Sequence, residues 1–194
     1  MIAPIDPIAI ALAVTRVLDS LGILHTIGGS IASSIAGEPR SSIDIDVVAA
    51  LHDVDVQPLV AALSEDFYVD SEALQRAIRE CSSANLIHQA TQLKVDIFVA
   101  GGTPLDEQQL KRRQRVEVGT NRILHVHPPE DILLQKLRWY RRGNETSDRQ
   151  WRDILGIIRV QARQLDRDYL YANAPVLKVE DLLARALEET TSHE

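Results

Sequence analysis

The chain has 194 residues, of which 45% are hydrophobic and 4% aromatic, and it carries a formal net charge of −7. This length and composition predict a globular protein of one domain, or one domain with a helical extension, around an aliphatic core. No apolar run approaches the roughly 20 residues of a transmembrane helix, so a membrane-spanning protein is not among the expected classes.

The amino-terminal residues and the cysteine count indicate a cytoplasmic protein. The first residues lack the basic segment of a signal peptide and predict a helix instead. Asp6 is suited to cap this helix and Pro7 to begin it, and the apolar run that follows ends at Leu21. Cys81 is the only cysteine, so no internal disulfide can form, which fits a reducing compartment.

Charge is divided unevenly along the chain. Residues 1–110 hold 5 basic and 15 acidic side chains, a net charge of −10, and residues 111–167 hold 14 basic and 7 acidic side chains, a net charge of +7. Residues 168–194 hold 2 basic and 6 acidic side chains, a net charge of −4. An acidic part beside a basic part suits a phosphate-rich substrate. The alternative is that the arginine-rich helices are only solvated surfaces.

Strand and helix patterns alternate through the first two thirds of the chain, and helices follow. The predicted strands are 23–27, 43–49, 67–69, 83–90, 93–100 and 122–126. The predicted helices are 8–21, 31–36, 56–63, 71–81, 105–113, 130–142, 147–160, 168–173 and 179–187. The fourth and fifth strands are expected to form a hairpin about Thr91 and Gln92.

A Gly-Gly-Ser turn follows the first predicted strand. Gly28 and Gly29 allow a close backbone approach and unusual dihedral angles. Ser30 is expected to cap a short helix that Gly37 ends. Because the N–H groups at a helix N-terminus bind anions, this turn is a candidate phosphate site.

Two carboxylates follow on the second predicted strand. Side chains alternate between the two faces of a strand, so Asp44 and Asp46 lie on one face, roughly 7 Å apart at Cα. At a separation of about 5 Å their repulsion costs roughly 3 kcal/mol at an effective dielectric of 20, unless a positive charge lies between them. A divalent cation with oxygen ligands is the expected partner, most often Mg²⁺, with Mn²⁺ as the substitute.

A third carboxylate, Asp96, lies on the later predicted strand, with Lys94 on the same face. If this strand lies beside residues 43–49, Asp96 completes a cluster of three acids, and Lys94 is a further candidate site residue. The alternative is that these acids only occupy the solvated side of a sheet.

Lys136 lies in the middle of the apolar stripe of the helix at 130–142. A buried lysine requires a negative partner, which agrees with phosphate binding, and the alternative is a lysine that extends to the edge of the stripe. Asp153 falls nearly opposite the apolar stripe of the next helix and is expected to point to solvent or to a neighbouring element. Trp139, Tyr140 and Trp151 are suited either to helix packing or to stacking on a base.

Together these residues resemble the DNA polymerase β superfamily of nucleotidyltransferases, and within it the small bacterial proteins related to abortive-infection nucleotidyltransferase toxins. The likeness covers roughly residues 20 to 160. The matching positions are Gly28, Gly29, Ser30, Arg40, Asp44, Asp46, Asp96, the stretch 93–97, the stretch 129–132 and Lys136-Leu137.

The resemblance implies roles for these positions. Gly29 and Ser30 would hold the triphosphate of a nucleotide, with Gly28 in the same turn, and Lys136 would contact its phosphates. Asp44 and Asp46 would bind metal. Asp96 would bind metal and help to activate the acceptor hydroxyl. Asp153 is the candidate for a further acid that some relatives carry on a later helix.

We therefore expect an α/β (α+β) fold of the nucleotidyltransferase type, with a core at 1–127 and a helical region at 128–194. The expected activity is Mg²⁺- or Mn²⁺-dependent transfer of a nucleoside monophosphate from an NTP to a hydroxyl of RNA, protein or a small molecule, with an antitoxin as a further partner. The alternatives are an inactive nucleotide-binding module and a nucleic-acid-binding protein that uses the basic 111–167 surface.

Overall fold

The computed structural model describes residues 6–39 and 44–191. These residues form two compact units, one of residues 6–31 with 44–126 and the other of residues 32–39 with 127–191. All strands of the described residues lie in the first unit. The predicted domain boundary after residue 127 stays a prediction.

A seven-stranded mixed sheet forms the centre of the first unit. Its strands are β1 (His25–Ile27), β2 (Ile45–Ala49), β3 (Phe67–Val69), β4 (Ser83–His88), β5 (Lys94–Val99), β6 (Gln114–Glu117) and β7 (Ile123–Val126). They follow the order β3-β4-β5-β2-β1-β7-β6. The pairs β2–β5 and β1–β7 are parallel, and the other neighbouring pairs are antiparallel. The expected mixed α/β architecture is confirmed.

Helices accompany the sheet in the first unit. They are α1 (Pro7–Ser20), the start of α2 (Gly29–Ala36), a single 3-10 turn (Asp53–Asp55), α3 (Val56–Leu63), α4 (Ser71–Glu80) and α5 (Pro104–Lys111). The prediction for the first helix is confirmed, because the Asp6 carboxylate accepts hydrogen bonds from the backbone N–H groups of Ile8 and Ala9 and Pro7 is the first helical residue. The buried side chains between helices and sheet are mainly aliphatic.

One strand departs from the sequence-based expectation. The sequence pattern predicts no strand at 114–117, yet β6 pairs there with β7. Its residues, Gln114–Glu117, are mostly polar and exposed, because β6 is an edge strand. An edge strand covered on neither face carries little of the apolar alternation by which strands are recognised.

Four helices and the end of α2 form the second unit. The helices are α6 (Pro129–Arg142), α7 (Asp148–Gln161), α8 (Arg167–Leu177) and α9 (Glu180–Thr191). The end of α2 is held on α7, since the Gln161 side-chain amide donates to the Ala36 carbonyl at 2.7 Å. The buried Tyr169 hydroxyl donates to the Asp131 carboxylate at 2.6 Å and so ties α8 to the first turn of α6.

Among residues 6–39 and 44–191, no helix combines the length and the apolar character that crossing a membrane requires.

Candidate active site

The predicted alternation of side chains on β2 is confirmed. Ile45, Val47 and Ala49 are almost fully buried, whereas Asp46 is half-buried. Asp44 lies directly before the strand and is exposed. The buried residues anchor β2 in the core, so that the Asp46 carboxylate stays on the more accessible face of the sheet.

The sheet brings Asp96 beside Asp46. The strands β2 and β5 are parallel neighbours, and their register pairs Asp46 with Asp96. Neighbouring strands lie about 4.8 Å apart, and residues in register project their side chains to the same face. The expectation that the later strand lies beside the strand of Asp44 and Asp46 is therefore confirmed.

The Gly-Gly-Ser turn lies directly against β2. The Gly28 N–H donates to the Asp46 carbonyl at 2.9 Å. Gly29 has a φ of +54°, and a Cβ atom at this position would lie 1.6 Å from Oδ2 of Asp46. A side chain at Gly29 and the observed Asp46 carboxylate cannot occupy the same space, so the absence of a side chain at Gly29 is a steric requirement of the site.

The expected helix cap at Ser30 requires a correction. The short helix α2 begins at Gly29, so Ser30 lies in its first turn and not before it. The Ser30 hydroxyl donates to the Asp44 carbonyl at 3.2 Å, and the residue is 6% exposed. Ser30 thus links the turn to the segment that carries the two acids, a long-range contact that local capping preferences do not predict.

Lys94 contributes a positive charge to this cluster. Its Nζ lies 2.9 Å from Oδ2 of Asp96, and the side chains of Lys94 and Asp96 are 56% and 21% exposed. The ligand atoms of Asp44, Asp46 and Asp96 do not all lie within 4.8 Å of one another. Carboxylate oxygens are the ligands that Mg²⁺ and Mn²⁺ prefer, so the in-register pair of Asp46 and Asp96 is chemically suited to a divalent cation. That Asp44, Asp46 and Asp96 bind one stays a prediction, and Arg40 lies outside the described residues.

Lys136 and Asp153 form an ion pair in the second unit. The Lys136 Nζ lies 2.8 Å from Oδ2 of Asp153, and both side chains are 11% exposed. Asp153 thus points from α7 to the neighbouring helix α6 and not to solvent. It is a negative partner of the kind that the position of Lys136 in an apolar stripe requires. The predicted roles of both residues toward a nucleotide stay predictions.

Loss of one member of this pair is expected to destabilise the protein. We expect Lys136→Met and Asp153→Asn each to lower the free energy of unfolding by about 2 kcal/mol, somewhat less than a fully buried pair would lose, because one charge stays buried without its partner. Urea unfolding measures the effect, and the double variant should lose less than the sum of the two. The control Arg159→Met breaks a 2.9 Å contact with Glu38 between exposed side chains and should cost less than about 1 kcal/mol. An equal loss in Lys136→Met and Arg159→Met would contradict this expectation.

The aromatic residues of the second unit differ in exposure. Tyr140 and Trp151 are buried against each other, with ring centroids 5.1 Å apart. The Trp151 indole N–H also donates to Glu189 at 3.0 Å. These two residues pack helices, whereas Trp139 is 45% exposed. Base stacking by Trp139 stays a prediction.

A group that the sequence pattern does not predict lies at Asp19, His25 and His125, where one ligand atom from each lies within 4.8 Å of the others. It contains none of the predicted carboxylates. The His25 Nδ1 that faces Asp19 at 3.8 Å also lies 3.0 Å from the Ile23 carbonyl. Burial lowers the pKa of both histidines, and the positive charge of Arg113 lowers it further. His125 lies 100 positions after His25 in the sequence, so no local signal reveals the group.

His25 makes the stability of the fold depend on pH. Burial lowers the pKa of His25 below its ordinary value of 6.5, with Arg113 and His125 lowering it further and Asp19 opposing them. The unfolded chain therefore takes up a proton at a higher pH than the folded chain does. Stability should fall as the pH drops below 6.5 and continue to fall until His25 is protonated in the folded state.

Urea unfolding at about pH 7.5 and pH 5.5 measures this dependence. The variant His25→Asn, whose amide can replace the hydrogen bond of Nδ1, should lose less stability between the two pH values than the wild type. His52→Asn, at an exposed histidine, should behave as the wild type does. Equal losses in wild type and His25→Asn would show that His25 does not cause the pH dependence.

The fold is similar to that of several solved protein structures. No model of a protein family matches the sequence, and no curated protein matches it. The structure is similar to a crystal structure of an antigenic nucleotidyltransferase-like protein from Paracoccidioides brasiliensis, with 20% identity, coverage of 94% of this chain and 92% of that chain, and a TM-score of 0.58.

Two structures of the antibiotic-resistance factor ANT(2'')-Ia are also similar. The solution structure shares 13% identity, over 96% of this chain and 97% of that chain, with a TM-score of 0.52. The crystal structure in complex with adenylyl-2''-tobramycin shares 10% identity, over 88% and 96% of the two chains, with a TM-score of 0.53. These similarities show that the chain has the nucleotidyltransferase fold.

Proposed function

We propose that this protein transfers a nucleoside monophosphate from an NTP to the hydroxyl group of an acceptor and releases pyrophosphate. The observation that carries the proposal is the packing of the Gly-Gly-Ser turn on the acidic strand. The Asp46 carboxylate occupies the space that a side chain at Gly29 would fill. The parallel register places Asp96 beside Asp46. A turn suited to phosphate and carboxylates suited to a cation thus lie side by side in one compact unit.

The turn binds the triphosphate in this proposal. The backbone of Gly28 and Gly29 approaches the ligand closely because neither residue has a side chain. The N–H groups in the first turn of α2, where Ser30 lies, donate to phosphate oxygens, which the partial positive charge of a helix N-terminus favours. The bond from Ser30 to the Asp44 carbonyl keeps the turn and the acids at a constant distance.

The carboxylates of Asp44, Asp46 and Asp96 would hold a divalent cation, Mg²⁺ or Mn²⁺. When bound, such a cation neutralises phosphate charge and stabilises the oxygens that attack and leave. Asp96 orients the acceptor hydroxyl and accepts its proton. The acceptor oxygen forms a bond to the α-phosphorus, the bond from that phosphorus to the β-phosphate oxygen breaks, and the electron pair leaves with pyrophosphate.

The acceptor is a hydroxyl of RNA, protein or a small molecule. The similarity to the ANT(2'')-Ia structure in complex with adenylyl-2''-tobramycin extends over 88% of this chain and 96% of that chain, which supports including small-molecule acceptors in the test. A relationship to abortive-infection toxins, with an antitoxin as partner, is part of the same proposal.

Label transfer tests the proposed reaction. The protein is incubated with each α-³²P-labelled NTP, Mg²⁺ or Mn²⁺, and a cell extract that contains RNA, protein and small molecules, beside an Asp44→Ala/Asp46→Ala variant. We expect label in one class of acceptor with the wild type and none with the variant. RNase, protease and chromatography of the small molecules then identify the acceptor class.

Other outcomes favour other functions. Metal-dependent NTP binding without transfer to any acceptor would favour an inactive nucleotide-binding module. Strong, salt-dependent binding of RNA or DNA that survives the loss of Asp44 and Asp46 would favour a nucleic-acid-binding protein that uses the basic 111–167 surface. The absence of both transfer and nucleotide binding would contradict the proposed function and leave only the fold.

A further inference from the structure

The candidate active site carries its own positive charge. Lys94 and Asp96 lie two residues apart on β5, so their side chains share one face of the sheet. The Lys94 ammonium lies 2.9 Å from Oδ2 of Asp96, within the distance of a charge-assisted hydrogen bond. Asp96 is in register with Asp46, so the ammonium group lies at the acidic cluster that the proposed function assigns to a divalent cation.

The exposure of the two side chains indicates how easily the ion pair between Lys94 and Asp96 can break. More than half of the Lys94 side chain is exposed, whereas Asp96 is about one fifth exposed. Ion pairs with one partner in water are weak, because water solvates the released ammonium almost as well. Lys94 can therefore leave Asp96 without a large loss of stability, and a flexible four-carbon chain allows it to do so without movement of the strand.

From this geometry we propose that Lys94 competes with the divalent cation for Asp96. In the metal-free protein the ammonium group reduces the repulsion among the acids, and it moves into solvent when the cation binds. Lys94 thereby raises the cation concentration at which the site fills. This inference rests on the proposed function, because it takes Asp44, Asp46 and Asp96 as the cation ligands.

The competition predicts that removal of Lys94 tightens cation binding. We expect the Kd for Mn²⁺ of Lys94→Met to be about three- to tenfold lower than that of the wild type, because both the competing contact and the repulsion between ammonium and cation are lost. Free Mn²⁺ is counted by electron paramagnetic resonance during titration of the full chain, without nucleotide. Circular dichroism verifies that each variant is folded.

A matched control separates the local effect from the change in net charge. Lys111→Met removes the same charge from the same unit at a lysine that is 72% exposed and faces Glu107 at 3.6 Å. Its Mn²⁺ affinity should stay within about twofold of the wild type, because exposed charges that are far apart are screened. A similar tightening in Lys111→Met and Lys94→Met would overturn the proposed competition.

The variant Asp46→Asn distinguishes failure of this inference from failure of the proposed function. Mn²⁺ binding that is lost in Asp46→Asn but unchanged or weakened in Lys94→Met would overturn the role of Lys94 alone. Mn²⁺ binding that is absent from the wild type, or unaffected by Asp46→Asn, would overturn both the carboxylate site and the competition. Tighter binding in Lys94→Met together with its loss in Asp46→Asn is the result that we expect.

Discussion

Replacement of Asp46 by asparagine is expected to reduce nucleotidyl transfer by more than about 100-fold, because loss of a direct ligand should exceed the 10–100-fold cost of losing an outer partner of a metal site. Asparagine has nearly the same shape but no charge, and so it weakens cation binding without opening a cavity. Initial rates of label transfer measure this effect, and urea unfolding verifies that the variant is folded.

Asp66→Asn is the matched control for this prediction. It makes the same chemical change at an exposed acid of the same unit, in the loop before β3. Its transfer rate should equal that of the wild type. If Asp46→Asn retains the wild-type rate in Mg²⁺, or if both variants lose activity equally, Asp46 has no special part in the reaction.

Replacement of Gly29 by alanine is expected to be nearly as damaging to activity, although it changes no charged group. The new Cβ would lie 1.6 Å from the Asp46 Oδ2, so either the carboxylate or the turn must move. A displacement of about 1 Å at a reacting group can cost 100-fold in rate. The left-handed backbone at Gly29, with its φ of +54°, adds about 1–2 kcal/mol of strain to the folded state.

Gly22→Ala separates the effect of the close contact with Asp46 from the effect of backbone strain. Gly22 also has a positive φ, of +69°, but a Cβ atom there would meet no atom of the described residues within 4 Å. Both variants should therefore lose about 1–2 kcal/mol of stability to backbone strain, and Gly29→Ala alone should lose nucleotidyl transfer and Mn²⁺ affinity. Full activity in Gly29→Ala would show that the contact between the turn and Asp46 is not required.

Much of the candidate site follows from local patterns. The alternation of apolar residues with Asp46 on β2 predicts which side of the strand is buried, and the structure confirms it. The Gly-Gly-Ser turn is recognised from residue types, because glycine adopts a positive φ most readily and alone allows the close contact found at Gly29. Neither pattern reveals how close the turn lies to the acids, since that distance depends on residues paired across the sheet.

Electrostatic partners are harder to predict than elements. Lys94 and Asp96 share a strand face, and so their proximity is accessible from parity, but the 2.9 Å contact depends on side-chain conformation. Asp153 is expected to point away from its own helix, and only the packing of α7 on α6 shows that it reaches Lys136. The environment of the buried His25 gives no local signal, because Arg113 and His125 lie 88 and 100 positions later in the chain.

By itself, the amino-acid sequence determines the periodic elements, the helix that Asp6 caps, and the turn that requires glycine. These features depend on local sterics and on which side chains avoid water, and both are properties of short segments. The tertiary structure alone decides that Asp46 pairs in register with Asp96, that Lys136 meets Asp153, and that a polar edge strand forms at 114–117. Such contacts depend on the simultaneous packing of distant segments, which no short window of sequence contains.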